Sequence, residues 1–191
     1  ASWQLFYEQG YEDTTVEEII ESSHTSKGSF YHYFDGKDAL LSTLSDLFDQ
    51  KYLALQEAMD PAMPAMDKLL FLNRALFRMI ETSVSMDLLA RLLSTQLVTN
   101  GERHLLDHKR IYYRLLRRII AEGQAAGQLS QGRSVNDMVK VYALCERALL
   151  YDWCLCGGEY PLCDYAARQM PHFLCDFLPP PSSKNGSGEN P

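Results

Sequence analysis

The chain has 191 residues, of which 46% are hydrophobic and 23% are charged, and its formal net charge is −7. This length and composition allow a substantial buried core and predict a soluble globular protein of one domain or two small ones. The longest apolar runs, such as residues 148–151, are far too short to cross a bilayer, which excludes a membrane-spanning protein.

The five cysteines all lie in the last quarter of the chain, and no secretory signal precedes them. An odd number of thiols without such a signal fits a reducing cytoplasm, where we expect the protein to be located. The sequence begins at Ala1 rather than at a methionine, so we expect its N-terminus to be incomplete.

Apolar residues recur at spacings of three and four along nearly the whole chain, whereas alternating β-branched runs are absent. This periodicity predicts an all-α protein. A first helix ends near Gln9, before a Gly-Tyr stop. A second helix begins at the run TTVEE, residues 14–18, because either threonine can cap the free amides while a glutamate three residues later completes a capping box.

The run HTSKGSFYHYF, residues 24–34, follows the second helix after a short turn. Thr25 or Ser26 can cap a third helix that continues to about Phe34, and two short helices joined so closely form a helix-turn-helix. At about 100° per residue, three aromatic residues share one face of this helix, which we expect to be core. They are Phe30, Tyr33 and Phe34.

The opposite arc of the third helix carries polar side chains and one glycine. A recognition helix typically exposes its first turns in this way, with lysine and tyrosine suited to phosphates and serine and histidine able to reach base edges. The glycine costs about 1 kcal/mol of helix stability, which makes sense if DNA backbone must approach closely. An ordinary solvated surface is the alternative for Tyr31 and His32. The outward residues are Lys27, Gly28, Ser29, Tyr31 and His32.

The stretch GYEDTTVEEIIESSHTSKGSFYHYFDGKDALL, residues 10–41, resembles the DNA-binding head of the TetR family of transcriptional regulators. The resemblance rests on a glycine-aromatic stop, a Thr-Thr-Val helix start, a Ser-Lys-Gly-Ser-Phe-Tyr recognition helix and a Lys-Asp-Ala-Leu fourth helix. At the turn, His24 and Thr25 replace the usual Gly-Val, and histidine tolerates a positive φ. The resemblance implies DNA contacts at Thr15, Lys27, Gly28, Ser29, Tyr31, His32 and Lys37.

The first 48 residues carry two lysines against nine acidic residues, which accounts for the whole net charge. Because DNA affinity depends largely on neutralising phosphates, this head by itself is expected to bind weakly and with strong salt dependence. The resemblance implies that a basic arm lies upstream of Ala1.

Prolines in the run MDPAMP, residues 59–64, interrupt the helical pattern after a fourth helix from about 37 to 58. We predict a helix-turn-helix DNA-binding domain with three helices over residues 1–48, a larger helical domain for ligand binding and dimerisation over 49–178, and a flexible tail over 179–191. Further helices are predicted at about 66–84, 86–98, 103–126, 134–156 and 161–178.

The helix predicted at 134–156 has two apolar faces, one more than packing within a monomer requires, which predicts a partner. In TetR-like proteins the last two helices form a four-helix bundle with the twin subunit, so the resemblance implies a homodimer with recognition helices roughly 34–36 Å apart. The residues assigned to the dimer interface are Val141, Leu144, Ala148, Tyr151, Met170, Phe173, Leu174 and Phe177.

The resemblance implies a ligand-responsive transcriptional repressor that binds a palindromic operator as a dimer. We expect a small apolar or aromatic effector to bind among the helices of the larger domain and to release the DNA. Any one residue assigned to this site is more often plain core than a ligand contact. The assigned residues are Phe77, Met86, Leu89, Leu93, Tyr112, Tyr113, Leu116, Tyr142 and Trp153.

The cysteines suggest a second kind of signal besides a small-molecule effector. Neighbouring thiols could bind a soft metal or act as a redox switch, whereas buried inert thiols are the ordinary alternative. His104 and His108 share a helix face, either as a metal-binding pair or as part of a polar surface stripe. The clustered residues are Cys154, Cys156, Cys163, His172 and Cys175.

No phosphate-binding glycine loop, metalloprotease motif or nucleophile elbow is present in the sequence. We therefore do not expect an enzyme, and we assign no catalytic residue, cofactor or metal site. The alternative function is a helical dimer that senses a ligand, a metal or the redox state and whose acidic head binds DNA weakly or no longer binds it.

Overall fold

The computed structural model describes residues 2–41, 43–98 and 103–180, and all regular structure in these ranges is helical. The predicted all-α class is therefore confirmed. Within these ranges, none of the helices combines the length and the apolar character that crossing a membrane requires. Most of the predicted tail, residues 181–191, lies outside the described residues.

The N-terminal head contains the predicted helix-turn-helix. Its small core is formed by Phe6, Ile19 and Phe30, together with Tyr11 from the first connection. The rings of Phe6 and Tyr11 pack with their centroids 5.0 Å apart. The helices of the head are α1 (Ser2–Gln9), α2 (Val16–Ser22), α3 (Lys27–Tyr33) and α4 (Lys37–Leu41).

The larger domain begins with α5, which with α4 covers the span predicted as one helix from 37 to 58, while Ser42 lies outside the described residues. The helices of the larger domain are α5 (Thr43–Ala58), α6 (Ala65–Ser83), α7 (Met86–Val98), α8 (Ile111–Ala125), α9 (Val135–Leu155) and α10 (Leu162–Phe173). Short 3-10 turns occupy His104–Leu106 and Cys175–Phe177.

Two predicted helix boundaries are wrong. The helix predicted from 103 starts only at Ile111, because the carboxylate of Asp107 accepts the amide of Lys109 at 2.8 Å and holds a turn instead. The helix predicted to reach 178 ends at Phe173, where Leu174 caps it and the 3-10 turn Cys175–Phe177 follows.

Helix α6 lies at the centre of the larger domain and packs against α5, α8 and α10. Its side chains Leu69, Leu72 and Phe77 are completely buried. Helix α7 has a different position, because it contacts α9 in the larger domain and α4 in the head. A displacement of α7 would therefore be felt in both parts of the chain.

The predicted dimer interface is wrong at three positions, because Met170, Leu174 and Phe177 have no exposed surface within the protomer. The α10 segment presents these side chains to its own domain, with α6 as its main neighbour. The hydroxyl of Tyr151 donates to the carbonyl of Leu93 at 2.8 Å, so this side chain faces α7. Apolar periodicity does not distinguish an inner from an outer apolar face.

The remaining interface residues lie where a partner could reach them. Leu144 is 56% exposed and Phe173 is 44% exposed, while Ala148 is exposed and Val141 is half-buried. Leu155, at the C-terminal end of α9, is 83% exposed. This partly apolar surface on α9 and the end of α10 is named the α9 face below.

Candidate nucleic-acid interface and internal cavity

A reciprocal capping box fixes the start of α2. The hydroxyl of Thr15 accepts the amide of Glu18 at 3.2 Å, and the carboxylate of Glu18 accepts the amide of Thr15 at 2.7 Å. These hydrogen bonds hold the pKa of Glu18 below its usual value. The capping box predicted for the run TTVEE is confirmed, with Thr15 as an exposed N-cap residue.

The turn between α2 and α3 contains a residue in the left-handed region. His24 has a φ of 53°. Its amide donates to the carbonyl of Glu21 at 3.1 Å, and the amide of Thr25 donates to the carbonyl of Ile20 at 3.1 Å. This pair of hydrogen bonds is a Schellman motif, in which glycine is the usual left-handed residue. Histidine takes the positive φ that the sequence led us to expect at this turn.

Ser26 caps α3 through its hydroxyl, which accepts a backbone amide at 3.0 Å. Phe30 is buried and Phe34 is half-buried, as predicted for the core face. The prediction for Tyr33 is wrong, since its side chain is 75% exposed. It occupies the last residue of α3 and packs against the ring of His32 on the surface, with centroids 4.8 Å apart.

The outward residues of α3 form one exposed surface at the start of the helix. The nearest heavy atom that a Cβ at Gly28 would meet is the hydroxyl oxygen of Ser26, at 4.0 Å. Packing within the protein therefore does not require glycine at this position. The exposed residues are Lys27, Gly28, Ser29, Tyr31 and His32.

Lys27 has an acidic partner on α2. Its ammonium lies 3.0 Å from the carboxylate of Glu17, and both side chains are about two-thirds exposed. This hydrogen bond raises the pKa of Lys27 and lowers the pKa of Glu17. Exposed ion pairs contribute little to stability, so a phosphate can take the place of Glu17 beside Lys27.

Lys37 is turned toward the connection between α1 and α2. Its ammonium donates to the carbonyls of Tyr11, Glu12 and Thr14 at 2.5, 3.2 and 2.9 Å. It also lies 4.4 Å from the centroid of the Tyr11 ring. The phosphate contact predicted for Lys37 stays a prediction, and making it would require the ammonium to leave these carbonyls.

Arg91 on α7 holds the same connection from the larger domain. Its guanidinium lies 5.1 Å from the centroid of the Tyr11 ring and forms an ion pair with Glu12. A second ion pair joins it to Asp87 on its own helix at 3.2 Å. The loop between α1 and α2 is therefore attached to α7. Sequence reasoning missed this attachment, because no local pattern indicates it.

A cavity of about 60 Å³ lies between α5, α6, α7, α8 and α9 of the larger domain. Leucine and isoleucine side chains form one part of its wall, whereas aromatic and charged side chains form the rest. Its lining residues are Phe48, Tyr52, Leu76, Ile80, Leu89, Leu92, Leu93, Leu105, Arg110, Tyr112, Ala143, Glu146, Arg147 and Leu150.

Three of the residues assigned to ligand binding, Leu89, Leu93 and Tyr112, line this cavity. The other six are placed elsewhere, in the surrounding core or at its edge. Helical periodicity indicates which side chains point inward, but it does not separate a cavity wall from solid core. The six residues that do not line the cavity are Phe77, Met86, Tyr113, Leu116, Tyr142 and Trp153.

A buried carboxyl group forms the polar wall of the cavity. Glu146 on α9 is 4% exposed, and its two oxygens accept hydrogen bonds from the Asn73 amide at 2.9 Å and the Tyr112 hydroxyl at 2.7 Å. Burial raises the pKa of Glu146 above its usual value, although these hydrogen bonds oppose the shift. Sequence reasoning missed Glu146, whose only local sign is a charge within an apolar helix.

Arg110 connects the cavity wall to α5. Its guanidinium donates to the carboxylate of Asp49 at 2.8 and 3.2 Å and to the carbonyl of Ser45 at 2.9 Å. Both charged side chains are mostly buried, which strengthens their hydrogen bonds relative to an exposed pair. The cavity is thus attached to α5, the first helix after α4 of the head.

A basic groove of about 680 Å³ runs over α8 and α9 next to the cavity. Ala143 and Arg147 line both the cavity and the groove. The groove also carries His108, Arg117 and Lys140, and none of its described lining residues is acidic. The arrangement places an apolar chamber beside a surface suited to an anion.

The cysteine cluster receives no support as a metal site in the part of the chain that the structure describes. No three His, Cys, Asp or Glu side chains meet there as metal ligands. Burial raises the pKa of the Cys145 thiol, and it raises that of Cys154 to about 11, so both favour the unreactive thiol form. The side chain of His104, considered with His108, lies outside the described residues.

Residues 1–44 match the family described as bacterial regulatory proteins, tetR family, which confirms the resemblance drawn from residues 10–41. The HTH-type transcriptional repressor KstR2 of Mycolicibacterium smegmatis is 33% identical over 78 residues, which cover 40% of this chain and 38% of that protein. An uncharacterised HTH-type transcriptional regulator in the lacX 3' region of Lactococcus lactis is 40% identical over 47 residues, 24% of each chain. These matches span less than half the length of either relative.

Solved structures share the fold of nearly the whole chain. FadR of Thermus thermophilus, a TetR family transcriptional repressor in complex with lauroyl-CoA, aligns with a TM-score of 0.76 at 21% identity, covering 97% of this chain and 95% of that one. FadR of Bacillus subtilis in complex with stearoyl-CoA gives a TM-score of 0.69 at 18% identity over 92% and 95% of the two chains.

Gly28→Ala tests whether the open backbone of α3 serves DNA binding. The free energy of unfolding, measured by urea denaturation, should rise by up to about 1 kcal/mol because alanine favours the helix and meets no neighbour. Affinity for DNA from upstream of the gene, measured by fluorescence anisotropy, should fall by about tenfold, equivalent to roughly 1.4 kcal/mol. Gly132→Ala in the larger domain is the matched control, and equal DNA affinity for both variants would contradict the assignment.

Glu146→Gln tests the buried carboxyl group through pH. In the folded protein the pKa of Glu146 is raised, so the folded state holds its proton longer than the unfolded state does. The free energy of unfolding of the wild type should therefore fall, relative to the variant, as the pH rises from the ordinary carboxyl pKa to the raised one. Urea denaturation across this range measures the difference, with the exposed Glu57→Gln as control. A constant difference would show that Glu146 ionises as readily in the folded state as in the unfolded chain.

Proposed function

We propose that this chain is a ligand-responsive repressor of the TetR family that binds a palindromic operator as a homodimer, since residues 1–44 match that family and the fold resembles that of a TetR family repressor. The observation that carries the proposal is the exposed start of α3. Its polar side chains share one surface with Gly28, whose open backbone the fold itself does not require. Such a helix fits the major groove by its N-terminal residues.

The charged residues of the head limit its electrostatic attraction for DNA. Lys27 and Lys37, the lysines of the first 48 residues, already have partners in Glu17 and in backbone carbonyls. DNA must therefore displace an acid to use Lys27, and the operator contacts fall more on Ser29, Tyr31 and His32. Electrostatic attraction by the head is then modest, and affinity should fall as salt rises in proportion to the few phosphates that it neutralises.

The α9 face supports assembly as a homodimer. Leu144 and Leu155 expose apolar side chains on the side of α9 that faces away from the core. Phe173 is exposed at the end of α10. Apolar surface of this kind is typical of an interface between subunits. Two copies joined there would present two recognition helices to one palindromic site.

An amphiphile with an apolar chain and an anionic head is the effector that the larger domain fits best. The leucine wall of the cavity suits the chain, and Arg117, Lys140 and Arg147 of the adjoining groove suit the anion. The structural neighbours in complex with lauroyl-CoA and stearoyl-CoA support an acyl thioester of coenzyme A. A cavity of about 60 Å³ is smaller than the roughly 300–1,000 Å³ of drug-sized sites, so binding must displace part of the wall.

Helix α7 provides the coupling between effector and DNA. Leu89, Leu92 and Leu93 of α7 line the cavity, and Arg91 of the same helix holds Tyr11 and Glu12 of the head. An acyl chain that displaces α7 therefore pulls on the loop before α2. The head then changes its orientation, and the two recognition helices no longer match the operator spacing.

Fluorescence anisotropy with DNA from upstream of the gene, at two salt concentrations, tests this function. We expect saturable binding at nanomolar protein, weaker at the higher salt, and a loss of affinity of about 5- to 150-fold with lauroyl-CoA. Arg91→Met should keep DNA binding and reduce the response to lauroyl-CoA, because the coupling ion pairs are lost. Arg78→Met, an exposed arginine on α6, is the matched control.

Equal and weak binding of specific and random DNA would contradict the operator proposal and favour a ligand sensor that has lost DNA binding. Unchanged operator affinity in the presence of lauroyl-CoA would contradict the effector class and leave the operator proposal intact.

Leu144→Arg tests the dimer interface. A charged side chain at this exposed position should leave the fold intact but prevent close packing of two α9 faces, so the protein should sediment as a monomer in analytical ultracentrifugation. Leu53→Arg changes a leucine of α5 that is 44% exposed and lies outside this face, and this variant should remain a dimer. A dimer that persists in Leu144→Arg at the same concentration would place the interface elsewhere.

A further inference from the structure

The buried hydroxyl of Tyr52 has no hydrogen-bond partner among the described residues. Tyr52 lies on α5, is 2% exposed and lines the cavity. Its ring packs against that of Tyr112, with centroids 5.1 Å apart. Buried polar atoms are almost always satisfied, so an unpaired hydroxyl on a cavity wall indicates a partner that enters the cavity.

The other polar groups on this wall are engaged. The Tyr112 hydroxyl donates to Glu146, and the guanidinium of Arg110 donates to Asp49 on α5. Arg147 makes a long contact of 3.4 Å with a tyrosine hydroxyl and extends toward the basic groove. Tyr52 therefore provides a buried donor with free capacity on the cavity wall.

A carbonyl group of the ligand suits the Tyr52 hydroxyl better than a hydroxyl group of the ligand does. A carbonyl oxygen accepts a hydrogen bond and needs nothing further, whereas a ligand hydroxyl also needs an acceptor. Both oxygens of Glu146 already accept hydrogen bonds, from Asn73 and Tyr112. The wall thus offers a spare donor without an equally free acceptor.

We propose that Tyr52 is the specificity-determining residue of the effector site and that its hydroxyl donates to the carbonyl oxygen at the junction between the apolar chain and the anionic head of the effector. The inference rests on the effector class proposed above. The apolar chain lies against the leucines of α6 and α7, and the anionic head lies on the groove beyond Arg147. The thioester carbonyl of an acyl-coenzyme A is at the corresponding junction of that molecule.

A pair of ligands that differ at this one group tests the inference. Lauroyl-CoA carries the carbonyl, and S-dodecyl-CoA has a methylene in its place, with the same chain length and the same head. A ligand without the oxygen leaves the Tyr52 hydroxyl unpaired, so the wild type should bind lauroyl-CoA about tenfold more tightly by isothermal titration calorimetry.

Tyr52→Phe removes the hydroxyl and keeps the ring. The tenfold preference should disappear in this variant, chiefly because lauroyl-CoA binds less tightly while S-dodecyl-CoA binds as well as before. Tyr160→Phe is the control, because its hydroxyl donates to the carboxylate of Asp152 and neither residue lines the cavity. This control should keep the preference. The melting temperature of Tyr52→Phe should not be below that of the wild type, since an unpaired polar group is removed.

Equal affinities of the wild type for the two ligands would overturn the inference without any variant, and so would a preference that survives in Tyr52→Phe. In both cases the proposed function stands if both ligands release the DNA. Binding of neither ligand to the wild type would overturn the effector class and, with it, the role of Tyr52.

Discussion

A carboxyl group removed from water organises the larger domain. Glu146 on α9 would be strongly unfavourable at its depth without partners, and Asn73 on α6 and Tyr112 on α8 supply them. Three helices from distant parts of the chain are thereby held at one point. The same hydrogen bonds form the polar wall of the cavity, so the stability of the core and the chemistry of the proposed effector site depend on one buried group.

The negative charge of the head is partly structural. Glu18 caps α2, Glu17 holds Lys27, and Glu12 holds Arg91 of the larger domain. These acids are therefore not simply a repulsive field around α3. An approaching phosphate competes with Glu17 for Lys27, which makes the surface selective against weakly placed anions and sensitive to ionic strength.

Local features of the chain were predictable, and features that depend on the packing of distant segments were not. The capping box at Thr15, the left-handed turn residue His24 and the open Gly28 are each set by a few neighbouring residues, and the structure has them where the sequence placed them. The exposure of Tyr33, the burial of Met170 and the link from Arg91 to Tyr11 depend on which surface meets which. Helical periodicity predicts the direction in which a side chain points, but it does not predict which segment of the chain that side chain contacts.

Tyr11 has a consequence for how the molecule unfolds. Its ring receives Lys37 from the head and Arg91 from the larger domain. Melting of the head would separate Arg91 from both Tyr11 and Glu12, so the larger domain would lose stabilising contacts at the same moment. Part of the folding free energy is thus common to the two regions. Heating should melt them in one cooperative transition, rather than freeing the head first as an independent unit.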